Sequence, residues 1–445
     1  MTTPPRKAAE RVARALDEMT RRHPRKIDLG LERIERVLGK LGNPQRKLPP
    51  TIHVAGTNGK GSTVALLRAM AEAQGLKVHV YTSPHLVRFN ERIVVASAQI
   101  EDGPLAEYLE RVTEASGPDA LTFFEATTAA AYLAFSEHSA DLAIIEVGLG
   151  GRYDATNVIT PALSLITPID YDHAEFLGRD LAKIAREKAG IIKLNMPVIF
   201  GHQNDLVSAV LRSEADKLRA PSAALNEHFR AYTEHGKLIY EDDDALLDLP
   251  MPALAGAHQI QNSALAIAAA RHLKIDDSAI AKGLQTVTWP ARLQPLTSGP
   301  LAEMASSEGA ELWLDGGHNP HAALVLAGAM ADLEARDPRP LVMIMGILAN
   351  KNAGGYLDEF EGLASALIAV DIKGHSALSP DVLTELARAR GIVDQIASNL
   401  IDAVQRAINT GQALSRETPE EPIIAPRILI CGSLYLAGQV LGMES

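Results

Sequence analysis

Short apolar runs, each followed by a glycine-containing turn and then by an amphipathic stretch, recur along the chain. Runs at 51–55, 77–81, 142–147 and 162–167 read as strands, and 64–74 and 123–137 as helices. Farther on, ELWLDGGHNPHAALVLAGAM, PLVMIMGIL, ALIAVDI and RILICGSLYLAGQVL repeat the order of strand, then loop or helix. Strands alternating with helices in this way predict a parallel α/β architecture. Between the two groups lies VTWPARLQPLTSGP, whose Pro, Gly and Ser content marks it as a linker. A boundary near Pro295 gives a larger domain over 1–295 and a smaller Rossmann-like α/β domain over 296–445, with a cleft between them where a two-substrate reaction is enclosed.

The first strand and helix of this pattern bracket TIHVAGTNGKGSTVALLRAM, at 51–70. Gly56, Gly59 and Gly61 let backbone N–H groups converge on an anion at the positive end of the helix. Lys60 then reaches terminal phosphates, and Ser62 and Thr63 offer hydroxyls to phosphate or magnesium. Thr57, Asn58, Gly59, Lys60, Gly61 and Ser62 are therefore the expected ATP-binding loop; the plain alternative is a glycine-rich turn. The loop departs from G-x-x-x-x-G-K-[ST], because Gly61 stands between Lys60 and Ser62. Glu146 closes another strand and is followed by Gly148, Gly150 and Gly151, His173 follows the next strand, and Ser83 follows the strand that ends at Thr82. An acid, an imidazole and a hydroxyl thus reach one edge of the sheet, where open α/β sheets bind ligands. Taken singly, Ser83 reads equally well as a turn residue before Pro84, and His173 as a cap.

Composition narrows the setting. The 445 residues are 47% hydrophobic, enough for a large core and more than one domain. No apolar run is long enough for a membrane span, and the start of the chain lacks a secretory pattern. Its Arg-rich opening also carries Glu10, Asp17 and Glu18, which favours a surface helix over a transit peptide. Cys431 is the single cysteine, so no intramolecular disulfide or cysteine zinc cluster forms, as fits a reducing cytoplasm. The net charge of -12 argues against a general nucleic-acid surface while leaving anionic small ligands open. No heptad pattern marks an oligomer, and a monomer is expected.

The loop GTNGKGST resembles that of the Mur ligase superfamily, and in particular its folate branch, the folylpolyglutamate synthases and dihydrofolate synthases. YTSPHLVRFNERI, EVGLGGRYDATNVI, DHAEFLGRDLAKIAREKAGIIK, LDGGHNPHAA and GSLYLAGQVL resemble further signatures of that family, in order, over nearly the whole chain. The resemblance implies a Mur-ligase-like P-loop ATPase domain that also binds folate or pteroate, and a second domain that contributes to glutamate and nucleotide binding. It implies that Ser83, Glu146 and His173 coordinate Mg2+ and that Lys188 is carbamylated by CO2, although the residues alone give only a lysine on a solvated helix face. Asn262 and Arg292 match nucleotide contacts, with Ala291 standing where the family commonly has glycine. His258 and Asn262 lie at i and i+4, which without the resemblance reads as an ordinary solvated first turn. Asp315 and His318 match residues for nucleotide and incoming glutamate, Lys60, Lys188 and His318 form the catalytic set, and Asn319 before Pro320 reads as a helix N-cap. The role of Lys351 in GILANKN stays open, since that segment lacks the family's acidic neighbours.

Bifunctional members of the family are similar to this chain at a dihydropteroate site made by Asp28, Leu29 and Gly30, by Thr122, Phe123, Phe124 and Glu125, and by Tyr153, Asp154 and Ala155. An aromatic ring there stacks on the pterin while a carboxylate pairs with its amino and ring N–H groups. Spacing alone also allows Asp28 as a helix N-cap, and Thr122 with Glu125 as a capping box. The implied reaction is ATP-dependent addition of L-glutamate to 7,8-dihydropteroate and to reduced folates through an acyl phosphate. The rivals are polyglutamation alone, a Mur ligase with a nucleotide-linked muramoyl substrate, and a P-loop switch that hydrolyses nucleotide.

Overall fold

The computed structural model describes residues 5–23, 28, 30–118, 120–172, 174–178, 180–416 and 422–444. The Leu29 and His173 assignments lie outside the described residues. The chain divides into two compact units, one of Met1–Ala253 with Gln259–Thr288, the other of Leu254–His258 with Trp289–Ser445.

The first unit is built on an eight-stranded sheet. Its strands are β1 Thr51–Ala55, β2 Val78–Tyr81, β3 Ile93–Val95, β4 Ala98–Gln99, β5 Leu142–Glu146, β6 Leu163–Ile166, β7 Val198–Phe200 and β8 Ser222–Ala224, in the order β4-β3-β2-β5-β1-β6-β7-β8. The pairs from β2 to β8 run parallel, and β3 and β4 add antiparallel at one edge. β1, β2, β5 and β6 are buried along their whole length, as expected of parallel strands covered on both faces. Val54 pairs with Glu146 and Ala55 with Ile166, so the C-terminal ends of β1, β5 and β6 lie level. A small antiparallel sheet, β9 Phe229–Glu234, β10 Lys237–Asp242 and β11 Leu246–Leu249, follows.

The second unit carries β12 Gln294–Pro295, β13 Glu311–Leu314, β14 Leu341–Met345, β15 Ala364–Ala369, β16 Val393–Ile396 and β17 Arg427–Cys431. Their order is β12-β13-β17-β14-β15-β16, and all pairs except β12 with β13 are parallel. The helix Pro320–Arg336 after β13 begins at Asn319, whose side chain accepts from Ala322 N, with Pro320 in the first turn, the expected cap.

The helix after β1 corrects the sequence reading. It runs Lys60–Ala73, beginning at Lys60 rather than at residue 64. Gly59 takes φ 85 at its N-cap, so the turn is complete one residue before Lys60 and the loop's last four residues become the first helical turn. This helix touches Asp277–Thr286 so closely that a Cβ on Gly283 would lie 2.6 Å from Met70 Cα. Two effects oppose each other in Gly283→Ala: helix propensity improves by about 1 kcal/mol, whereas backbone forced apart in a packed core loses roughly 1–3 kcal/mol. The clash is against backbone, which cannot rotate away. A denaturant titration is expected to show a lower midpoint for Gly283→Ala at unchanged slope, and an equal or higher midpoint would contradict the contact.

Candidate active site

Everything at the first unit's site follows from the level ends of β1, β5 and β6. Gly56 leaves β1 at φ 149, and a Cβ there would stand 1.8 Å from Thr167 Oγ1. Thr57 N donates to Pro168 O at 2.9 Å, and Thr57 Oγ1 both donates to Asp170 O and accepts from Asp170 N, tying the loop to the segment after β6. Lys60 Nζ folds back to the carbonyls of Gly56 and Thr57 at 3.2 and 3.1 Å. At Gly59 a Cβ would meet Asn262 Oδ1 at 2.4 Å, so Asn262 lies against the loop. Gln259 Nε2 donates to Ser62 Oγ at 3.4 Å, and Asn262 Nδ2 donates to Gln259 Oε1, a link the sequence reading missed.

Ser83 and Glu146 come together from two strand ends, Ser83 N donating to Glu146 Oε2 at 3.4 Å. Glu146 is buried, and its carboxylate, beside the Ser83 backbone, offers oxygen donors that suit a hard cation. Among the described residues no group of three or more His, Cys, Asp and Glu is arranged to hold a metal. A single buried carboxylate at a strand end suits an ion such as Mg2+, which is held by one or two protein oxygens together with phosphate and water.

Lys188 is not on a solvated face. It ends the helix Leu181–Lys188 buried, and its Nζ donates to Gly56 O at 2.7 Å. Burial, and then the neighbouring Lys60, lower it to about 7. Arg152 N donates to Glu187 O at 2.7 Å, and a Cβ on Gly151 would lie 2.6 Å from the same carbonyl, so the glycine turn after β5 packs on this helix end.

Of the proposed pteroate residues, Asp28, Thr122 and Glu125 come together, and Phe124 meets the turn at Gly148 and Leu149 that Asp154 holds. Thr122 and Glu125 make the capping box of the helix Phe123–Glu137. Glu125 also accepts from Arg33 Nε at 3.1 Å, and Arg33 Nη1 donates to Asp28 Oδ2 at 3.1 Å, so one guanidinium joins both carboxylates. Asp28 is not a helix N-cap, because the helix Glu32–Lys40 starts after Leu31, without a side-chain cap. Arg33 went unnoticed in the sequence, although it lies in the same DLGLER segment. Phe124 has its ring 6.0 Å from that of Tyr81 and touches Gly148, where a Cβ would come within 2.4 Å of it. Phe123 meets Phe89 edge to face at 5.9 Å, and Arg92 lies over both rings. Arg92 Nε donates to His85 Nδ1, and burial followed by Arg92 pushes His85 down to about 4. Gly30 is half-buried, Tyr153 is exposed, Ala155 is buried, and the Asp154 carboxylate is buried and accepts from Leu149 N at 2.8 Å.

In the second unit, Asp315 accepts from Leu293 N at 2.8 Å, next to Arg292, and from Gly317 N at 2.6 Å. Arg292 Nη1 donates to Ala291 O, and His318 shares a hydrogen bond between Nδ1 and Gly316 O at 3.0 Å. Burial, against the opposing pull of Asp315, holds His258 below its ordinary range; it is half-buried, and Asn262 is buried rather than on an ordinary solvated first turn.

Comparison with known proteins places this geometry. Residues 54–270 match the Mur ligase middle domain. A Bacillus subtilis dihydrofolate synthase/folylpolyglutamate synthase is 35% identical over 76% of this chain and 80% of its own. An Escherichia coli FolC structure in complex with DHPP and ADP superposes with a TM-score of 0.84 at 30% identity, covering 99% of this chain and 98% of that one. A bifunctional folylpolyglutamate synthase/dihydrofolate synthase with Mn, AMPPNP and L-glutamate bound gives a TM-score of 0.83 at 28% identity, over 99% of both chains. At 35% identity to a relative over most of both chains, and in a Mur-ligase-like α/β fold, the chain belongs to the dihydrofolate synthase/folylpolyglutamate synthase family.

Proposed function

We propose that this chain is an ATP-dependent ligase that joins L-glutamate to 7,8-dihydropteroate and to reduced folates, acting as a cytoplasmic monomer on small molecules, without nucleic-acid or membrane partners. The observation that carries the reading is the convergence of Lys60, Lys188 and Asn262 on one glycine loop, beside Ser83 and Glu146. No helix among the described residues is long and apolar enough to cross a membrane.

The substrate carboxylate attacks the γ-phosphate of ATP, the bond to the β-phosphate bridge oxygen breaks, and ADP leaves an acyl phosphate behind. The glutamate amine then adds to the acyl carbon, and the tetrahedral adduct expels phosphate. A carboxylate is a poor acyl donor, which is why ATP is needed. Thr57, Asn58, Gly59, Lys60, Gly61 and Ser62 hold the phosphates, through the first-turn N–H groups and the Lys60 ammonium. Mg2+, when bound, neutralises charge on the phosphate oxygens and the leaving group. Ser83, Glu146 and His173 are the residues that would hold it. Asn262, Arg292 and Asp315 serve the nucleotide, and His318 the incoming glutamate. Asp28, Leu29, Gly30, Thr122, Phe123, Phe124, Glu125, Tyr153, Asp154 and Ala155 serve the pteroate, Phe124 by stacking. Lys188 suits carbamylation, since CO2 adds only to a neutral amine and a value of about 7 leaves much of it neutral at physiological pH.

Mass spectrometry of products formed with ATP, Mg2+ and L-glutamate tests the activity. Glutamate addition to both 7,8-dihydropteroate and reduced folate is expected; addition to reduced folate alone reduces the assignment to a polyglutamate synthase, and addition to neither removes it. Lys60→Ala is expected to lower kcat by about 10²-fold or more, read as phosphate release at saturating substrates. Turnover near wild type would show that the loop does not do phosphoryl transfer.

The carbamate has its own pH signature. As pH rises through about 7, Lys188 passes from ammonium to amine, so uptake of 13C-bicarbonate as a carbamate resonance is expected to rise there. An ordinary lysine would respond near about 10.4. A resonance that persists in Lys188→Arg would assign the carbamate elsewhere.

A further inference from the structure

We infer that His53 and Thr156 are positioning residues which, through the Asp154 carboxylate, hold the Gly148–Leu149 turn against the Phe124 ring and so set the face on which the pterin stacks. The inference rests on the dihydropteroate reading above. His53 sits in the middle of β1, where every neighbour along the strand is buried, and it is itself fully buried. An imidazole in that position has to satisfy its polar atoms inside the sheet. Its Nε2 lies 2.9 Å from Thr156 Oγ1, and Thr156 Oγ1 lies 2.5 Å from Asp154 Oδ1.

The direction of these bonds is determined by chemistry. Asp154 Oδ1 also accepts from Thr156 N at 3.0 Å and Oδ2 from Leu149 N at 2.8 Å, so both oxygens accept, and these hydrogen bonds favour the carboxylate against the burial that raises its pKa. The Thr156 hydroxyl therefore donates to Asp154, and its oxygen accepts from His53. His53 must carry its proton on Nε2. This agrees with its Nδ1, which is buried with no hydrogen-bond partner among the described residues. Burial, and then Lys193, hold His53 down to about 3, so the ring is neutral and has one proton to place.

The far end of the chain reaches the candidate site. Leu149 N is fixed by Asp154, and the adjacent Gly148 has no room for a Cβ because Phe124 Cζ would be 2.4 Å away. A displaced turn would therefore push the ring. Tyr132 Oη donates to Thr156 O at 2.8 Å, which anchors Thr156 independently and leaves its hydroxyl for the relay. The same strand that ends at the phosphate loop thus also sets the aromatic face.

The test is steady-state kinetics with 7,8-dihydropteroate and ATP for wild type, His53→Leu, His53→Gln, Thr156→Val, Asp154→Asn and the His53→Leu/Asp154→Asn double variant. His53→Leu and Thr156→Val are each expected to raise the dihydropteroate KM about tenfold, with the ATP KM unchanged. His53→Gln, which keeps an N–H donor at the reach of Nε2, should recover most of that loss. The double variant should be no worse than Asp154→Asn alone, because one chain is cut in both. Should His53→Leu not fold, Thr156→Val makes the same cut from the middle. Equal rises in both KM values, multiplying effects in the double variant, or a His53→Gln as damaged as His53→Leu would overturn the inference. NMR of the 15N-histidine-labelled protein separates it from the activity reading. A His53 ring protonated on Nδ1 refutes the relay even if dihydropteroate is glutamylated, whereas an Nε2 proton in a protein that forms no glutamylated product refutes the activity and leaves the relay standing.

Discussion

Two lysine ammonium groups converge on one carbonyl, and the rest of the site is arranged around that. Gly56 O accepts from Lys188 at 2.7 Å and from Lys60 at 3.2 Å. The carbonyl is available because Gly56 leaves β1 in a conformation, and in a space, that only glycine can occupy. Two like charges so close cannot both be stable away from water. Lys188 is buried, and burial, with Lys60 beside it, lowers its affinity for a proton.

The aromatic side of the site obeys a different constraint. Glu125 is almost fully buried, and a buried carboxylate needs partners. It has two sets: the Thr122 N–H of its capping box and the Arg33 guanidinium. Capping does not use up the carboxylate, which the Arg33 guanidinium also engages. The cap turns Glu125 towards the helix start, Arg33 neutralises it, and Arg33 also brings in Asp28. Phe123 and Phe124 stand in the same first turn, so the helix end that is capped also presents the rings.

Much of this was legible in the sequence because it depends on local pattern. Strand ends carry Glu146 and Ser83, glycine spacing marks the loop, and Asn319 with Pro320 marks a helix start; each is decided within a few residues. The strand ends differ from the reading by a residue or so, as with β5 ending at Glu146. What failed depends on tertiary burial. Lys188 reads as a surface lysine because nothing near it in sequence shows that the Gly151 turn covers it. Asp28 reads as a cap because Arg33, five residues later, is an unremarkable helix charge until Glu125 arrives from nearly a hundred residues away. His53 carries no local signal, since its partner Thr156 lies 103 residues on. The helix start at Lys60 was hidden because glycine and serine at 61 and 62 weaken helix propensity, while Gly59 in a left-handed turn decides the boundary.

The turn around Arg292 shows how a departure from the family pattern is absorbed. Ala291 stands where glycine is common, yet it keeps φ 56, and Leu293 follows at φ 42. A left-handed residue with a side chain costs roughly 1–2 kcal/mol. Three hydrogen bonds hold this turn: Gln294 Oε1 accepts from Ala291 N, Asp315 Oδ2 accepts from Leu293 N, and Gly316 N donates to Ala291 O. At about 1 kcal/mol each, more where the acceptor is charged, they suffice to offset the strain. Asp315 therefore does more than its place in a strand-to-helix turn implies. By accepting from Leu293 N on one oxygen and from Gly317 N on the other, it ties the left-handed turn around Arg292 to the turn that follows β13.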